Sequence, residues 1–92
     1  MIFDLSGKTA LITGSSRGIG RAIAEAMGGL GANVVISSRT AEDCDKTTAE
    51  LKATGISATS IPCHIGRNEE LQALVDKTRE VFGQVDILVC NA

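Results

Sequence analysis

The run Lys8-Thr9-Ala10-Leu11-Ile12-Thr13, continued by Gly14-Ser15-Ser16-Arg17-Gly18-Ile19-Gly20, decides the fold. Its first six residues form a short apolar run that stops at a glycine, which reads as a buried strand. Beyond the glycines, Ile19, Ile23, Ala26, Met27 and Leu30 recur at helical spacing and predict a helix over 18–30. Gly28, Gly29 and Gly31 are expected to fray and end it. A strand that turns through glycines into a helix puts backbone N–H groups and the positive end of a helix dipole at the turn, which suits a pyrophosphate. Glycines serve such a turn by bending tightly, by letting a ligand approach, and by letting helix and strand touch. A glycine-rich turn that binds nothing is the plainer alternative. No Gly-Lys-Ser/Thr follows, so this is not the phosphate loop of a nucleotide triphosphatase.

Outward from this stretch the pattern alternates strand and helix. Val34-Val35-Ile36 reads as a second strand, β-branched throughout. Thr40 and Asp43 form an N-cap pair that opens a helix over about 41–54, with Gly55 just past its end. Ile56 to Pro62 reads as a third strand, closed by the proline. Asn68 caps a third helix whose Leu71, Leu74, Val75 and Phe82 share one face, and Gly83 ends it. Asp86 to Cys90 is the fourth strand. The order βαβαβαβ implies an α/β fold: an open parallel sheet with right-handed crossovers, Rossmann-like, in strand order 3-2-1-4. The first two helices then cover one face and the third helix the other. The glycine turn falls at the topological switch between the first and fourth strands, where such sheets bind ligands. That placement weighs against a turn without a ligand.

Composition narrows the function classes. With 92 residues the chain forms one domain and not two, read as the N-terminal part of a single dinucleotide-binding domain spanning 1–92. A hydrophobic fraction of 43% with 2% aromatics, and no Trp or Tyr, implies a core of Ile, Leu, Val and Ala. The net charge of −2, with signs mixed along the chain, carries no basic footprint for nucleic acid. No apolar run is long enough to span a bilayer, and residues 1–8 show no signal peptide, so no membrane partner and a cytoplasmic location are expected. Cys44, Cys63 and Cys90 are odd in number and widely spaced, which argues against a disulfide framework and a zinc site. They read as small, buried or half-buried hydrophobes.

Thr13-Gly14-x-x-x-Gly18-Ile19-Gly20 is similar to the cofactor fingerprint of the short-chain dehydrogenase/reductase family. Leu5-Ser6-Gly7-Lys8-Thr9-Ala10-Leu11-Ile12-Thr13-Gly14 looks like that family's usual start. Asp86-Ile87-Leu88-Val89-Cys90-Asn91-Ala92 resembles its Asn-(Asn)-Ala-Gly strand end, cut before the last glycine. The resemblance implies that Gly14, Gly18 and Gly20 form the pyrophosphate turn and that Ser16, Arg17 and Ile19 line the cofactor. It also implies that Asn91 and Ala92 sit beside the adenosine ribose, although Asn91 also fits an ordinary strand-end turn residue.

The cofactor preference is read at the end of the second strand, Ile36-Ser37-Ser38-Arg39-Thr40. A cofactor without a 2′-phosphate calls for Asp or Glu there to pair with the ribose hydroxyl. No carboxylate stands at this turn, whereas Arg39 suits a phosphate dianion by charge and fork geometry, with Arg17 closing from the glycine turn. In the family these two basic positions go with NADP(H), which is the expected cofactor, NAD(H) being the alternative. The plainer reading leaves both arginines as solvated loop residues. After the third strand the family often has an acidic residue against the adenine edge, where this chain has Cys63-His64-Ile65. Neutral His64 offers one donor and one acceptor in its place, or is a simple loop histidine, and the backbone of Ile65 keeps the adenine contact.

The family's chemistry uses a Ser with a Tyr-x-x-x-Lys pair, and this chain contains no Tyr. No catalytic residue is assigned, and the stretch alone is expected not to turn over substrate. The resemblance implies a longer parent enzyme that interconverts a carbonyl and an alcohol by hydride transfer. Its partner is a small-molecule substrate, and the full-length protein is expected to be a homo-oligomer. A non-catalytic NADP(H)-binding or sensing module is the alternative. The fold is expected to be incomplete, with Ile87, Leu88 and Val89 on an open sheet edge that makes the isolated domain marginal or aggregation-prone.

Overall fold

The computed structural model describes residues 4–63 and 68–90. Four strands, β1 (Thr9–Thr13), β2 (Asn33–Ser37), β3 (Ala58–Ser60) and β4 (Ile87–Val89), alternate with helices α1 (Gly18–Gly29), α2 (Ala41–Ala53) and α3 (Asn68–Phe82). The sheet runs β3-β2-β1-β4, with every pair parallel. This is the order expected from the sequence. β1 and β2 pair from Thr9↔Asn33 to Thr13↔Ser37, so their carboxyl ends finish level and their loops leave side by side.

Side chains alternate across the sheet, and the two resulting cores are distinct. Ala10, Ile12, Val34, Ile36 and Ala58 face α1 and α2, where they meet Ala24, Cys44 and Leu51. Leu11, Val35 and Ile61 face α3 and meet Leu74, flanked by Leu71, Val75 and Phe82. Both faces of β1 and β2 are thus covered, which explains their near-continuous apolar runs. Leu11, Ile12, Val34, Val35 and Ile36 are fully buried, each contributing about 1.5–3 kcal/mol of transfer energy.

Thr40 stands at the N-cap of α2 but makes no side-chain cap bond, and the structure departs from the sequence reading in four further places. Ile19 lies 73% exposed and Ala26 is also exposed, so neither belongs to the packed stripe of α1. That stripe is Gly20, Ala24 and Gly28 with Ile23 and Met27. Second, α1 runs through Gly28 and Gly29 instead of fraying at them. A Cβ on Gly28 would stand 2.5 Å from the Ile56 side chain, so a small residue is required there for close packing.

Third, β3 begins at Ala58 and not at Ile56, because the Ile56 N–H bonds back to Leu51 O at the end of α2. The ladder still continues past Ser60. Ile61 N–H donates to Ile36 O and Cys63 N–H to Ser38 O, and Pro62 occupies the intervening position, where no ladder donor is needed. Fourth, β4 omits both Asp86 and Cys90. The Asp86 carboxylate instead accepts the Thr9 N–H at 2.9 Å while its own N–H donates to Thr9 O, pinning the start of β1 against β4. At the end of the sheet order β4 pairs with β1, and Leu88 is 49% exposed, as expected for an open edge. Among the described residues no helix is long and apolar enough to cross a membrane.

Candidate functional site

The glycine turn leaves β1 at the carboxyl edge of the sheet, between β2 and β4. Gly14 and Gly18 both adopt φ +63°, a left-handed conformation that costs a residue with a side chain roughly 1–2 kcal/mol. A Cβ on Gly18 would meet no protein atom within 4 Å, so backbone conformation and not crowding by the protein requires glycine there. Gly20 is buried under the first turn of α1.

Ser15 fastens the turn to the neighbouring strand. It is fully buried; its hydroxyl donates to Ile12 O at 2.7 Å and accepts the Ser37 N–H at 2.8 Å, while its own N–H donates to Ser37 O. These bonds weld the first residues beyond β1 to the last residue of β2. Ser16 is half-buried, and its carbonyl accepts the Thr47 hydroxyl of α2 at 2.8 Å. Across the other side, the Thr13 hydroxyl donates to Val89 O at 3.3 Å and holds the end of β4 at the switch.

Arg17 is exposed and serves as the N-cap of α1 with extended backbone and no capping side-chain bond. The first turn of α1 contains no acidic residue. Its N–H groups have no carbonyl one turn earlier within the helix, so they and the dipole present a positive end beside Arg17. Arg39 is exposed in the loop between β2 and α2. There the Ser38 hydroxyl accepts the Thr40 N–H at 3.4 Å, which sets Arg39 at the tip of a short turn. Among the described residues, neither Arg17 nor Arg39 pairs with a carboxylate. Arg21, by contrast, is held by Glu25 at 2.9 Å and Glu50 at 3.3 Å, and these hydrogen-bonded carboxylates raise its pKa further.

The structure therefore brings Gly14, Ser16, Arg17, Gly18, Ile19 and Gly20 into one turn, with Arg39 on the adjacent loop. His64, Ile65, Asn91 and Ala92 lie outside the described residues. The Cys63 N–H bond to Ser38 O nevertheless brings the chain just before His64 alongside the Arg39 loop. Ser15 and Thr47 were missed by the sequence reading. Thr47 is 2% exposed and bonded to a partner outside its own helix, a burial that no sequence pattern on this charge-rich helix announces. Nothing local identifies that partner, which is 31 residues away.

Two of the three thiols are buried, as expected, and Cys90 is exposed after β4. Burial pushes the Cys63 thiol up, with Glu70 adding to the shift and Lys77 opposing it. Among the described residues no group of His, Cys, Asp and Glu is arranged to hold a metal ion.

The parallel 3-2-1-4 sheet with a glycine turn at its switch defines a Rossmann-like α/β protein. The sequence pattern described as short chain dehydrogenase matches residues 8–92, and the chain belongs to that family of oxidoreductases. It is 46% identical over 88 residues to the short-chain dehydrogenase/reductase SDRA of Arabidopsis thaliana, covering 96% of this chain and 35% of that protein. The fold superposes on a hydroxysteroid dehydrogenase from Escherichia coli with a TM-score of 0.93 and 40% identity, over 97% of this chain and 38% of the other. On the Pseudomonas aeruginosa RhlG/NADP active-site complex the TM-score is 0.90 with 39% identity, over 98% of this chain and 36% of that one. The chain thus spans about a third of the length of the relatives it matches.

Proposed function

We propose that residues 1–92 are the N-terminal, NADP(H)-binding part of a single dinucleotide-binding domain in an oxidoreductase that interconverts a carbonyl and an alcohol. The observation that carries this reading is the pair of exposed arginines on adjacent loops, neither of which pairs with a carboxylate among the described residues. Arg17 stands at the start of α1, and Arg39 stands two residues past β2 where a ribose-binding carboxylate is missing. The likeness to a protein described in complex with NADP supports it.

In this reading the glycine turn holds the pyrophosphate. The left-handed backbone at Gly14 and Gly18 carries the chain from β1 into α1, and the α1 dipole favours the negative charge. Arg39 and Arg17 clamp the 2′-phosphate by charge-assisted hydrogen bonds. Ile19, too exposed to serve the core, covers the cofactor with apolar surface. His64, Ile65, Asn91 and Ala92 complete the adenosine side. The nicotinamide supplies the hydride when bound, and this chain's residues fix its position and keep its phosphates in place. With no Tyr in the sequence, proton transfer falls to residues beyond this stretch, which alone is inactive. The full-length protein acts in the cytoplasm as a homo-oligomer on a small-molecule carbonyl or alcohol.

Oxidation of NADPH by the full-length protein, followed at 340 nm across ketone, sugar, steroid and 3-oxoacyl substrates, tests this. Substrate-dependent oxidation of NADPH that exceeds that of NADH is expected. Turnover with NADH alone, or NADPH binding without turnover on any carbonyl, contradicts it.

A further inference from the structure

The glycine turn is held from outside by a residue that belongs to no motif. We propose that Thr47 is a positioning residue for cofactor selection: its hydroxyl fixes the Ser16–Arg17 peptide and so sets Arg17 against the 2′-phosphate. The inference rests on the NADP(H) reading of the same site.

Three observations carry it. The Thr47 hydroxyl donates to Ser16 O at 2.8 Å, and Thr47 is 2% exposed, so this bond forms away from competing water. A trans peptide is planar, and among the described residues no peptide bond is cis. With the Ser16 carbonyl turned toward α2, the Arg17 N–H must point away from α2. Thr47 therefore orients the amide at the N-cap of α1 as well as the backbone from which the Arg17 side chain departs. Finally, α2 starts at Ala41, two residues after Arg39. One hydrogen bond thus couples the helix that follows Arg39 to the loop that carries Arg17.

Ser15 and Thr47 divide the work. Ser15 locks the root of the turn to β2 through Ser37, and it is buried in the sheet edge. Thr47 acts one residue further out, where the chain is half-buried and the next residue is exposed. Loss of Ser15 disturbs the whole turn. Loss of the Thr47 hydroxyl frees one peptide plane and leaves the Ser16 carbonyl without that donor. The consequence falls on the interaction that needs both arginines, the one with the 2′-phosphate. The pyrophosphate contact to the glycines is less affected.

The test is a titration of NADPH and NADH into the full-length wild type, Thr47→Val, Thr47→Ser and Arg17→Ala proteins, and the Arg17→Ala/Thr47→Val double variant. Valine keeps the shape and removes the hydroxyl; serine keeps the hydroxyl. The loss of one hydrogen bond predicts NADPH binding weakened about 3- to 10-fold in Thr47→Val, with NADH changed less than about 2-fold. Thr47→Ser should restore NADPH affinity, and in the Arg17→Ala background the valine effect on NADPH should shrink to less than about 2-fold. Equal losses for both cofactors, or no loss with either, would overturn the proposal. So would an undiminished valine effect without Arg17. A wild type that does not prefer NADPH removes the underlying reading itself, which the first titration shows before any variant is compared.

Discussion

Helices α1 and α2 both start at the carboxyl edge of the sheet, one after β1 and the other after β2, yet their first turns follow opposite plans. The first turn of α2 carries Glu42 and Asp43, and its last turn carries Lys52. Those charges oppose the helix dipole from within, as a self-sufficient helix does. The first turn of α1 has no carboxylate, its last turn has no base, and its N-cap is an arginine. By the ordinary rules of helix stability α1 is the poorer helix. The positive end that α2 neutralises with its own side chains carries no acidic residue in α1, and in the proposed reading it receives the cofactor's pyrophosphate. The cost falls on local stability, and packing offsets it: Ala24 of α1 is buried in the core with β1 and β2, and Gly28 packs against Ile56.

The left-handed backbone at Gly18 opens α1, and its removal is the most damaging single change. Gly18→Val places a β-branched residue at φ +63°, which the chain tolerates poorly, and puts a side chain where a pyrophosphate approaches. NADPH affinity is expected to fall by more than about 100-fold, a joint effect of strain and steric exclusion. Isothermal titration beside a thermal melt separates lost binding from lost folding.

Arg39→Asp ranks next. It replaces a phosphate partner with the carboxylate that a ribose hydroxyl prefers. The NADPH/NADH preference should move by roughly 10- to 100-fold towards NADH, the size of one charge-assisted hydrogen bond. Steady-state KM values for the two cofactors check it, and an unchanged ratio would place Arg39 among solvated loop residues.

A pair of smaller changes tests the two plans directly. Ile19→Glu puts a carboxylate into the first turn of α1 at an exposed position, and Glu42→Gln removes one from α2. Dipole arguments give about +0.3–1 kcal/mol of stability to the first and a loss of similar size to the second. NADPH binding should weaken only for Ile19→Glu. Denaturant melts combined with titrations read both effects, and tighter NADPH binding in Glu42→Gln would show that α2 also faces the anion.

The thiols report the same contrast most gently. Cys44 is buried in the first turn of α2, whereas Cys90 is exposed just past β4 at the switch beside the glycine turn. Alkylation followed by mass spectrometry should label Cys90 first and Cys44 and Cys63 slowly. The Cys63 thiol titrates above its ordinary value in the fold, so the neutral form is favoured. The stability linked to it is full below the ordinary thiol range and is lost as pH rises through the raised value. Its labelling should therefore accelerate only at alkaline pH.

Strand order and the two-sided core were legible because apolar periodicity and glycine placement are local signals, and parallel topology follows from alternation. The glycine turn was legible for the same reason. What escaped was set by contacts distant in sequence. Gly28 reads as a helix breaker until Ile56 is seen beside it, and Asp86 reads as part of a strand until the Thr9 N–H claims its carboxylate. Ile19 fits the helical period of the core yet faces outward, and the period alone does not show that the packed stripe of α1 starts at Gly20. Thr47 reaches Ser16 across 31 residues, and no local pattern encodes that bond.

The central claim is that Arg17 and Arg39 select NADP(H) at the open end of α1. The most direct measurement is the dissociation constant of NADPH against that of NADH, for the full-length protein in one buffer of stated salt. At least about 10-fold tighter binding of NADPH, shrinking as salt rises and screens the arginines, is the predicted result. Equal affinities, or tighter binding of NADH, would contradict the account.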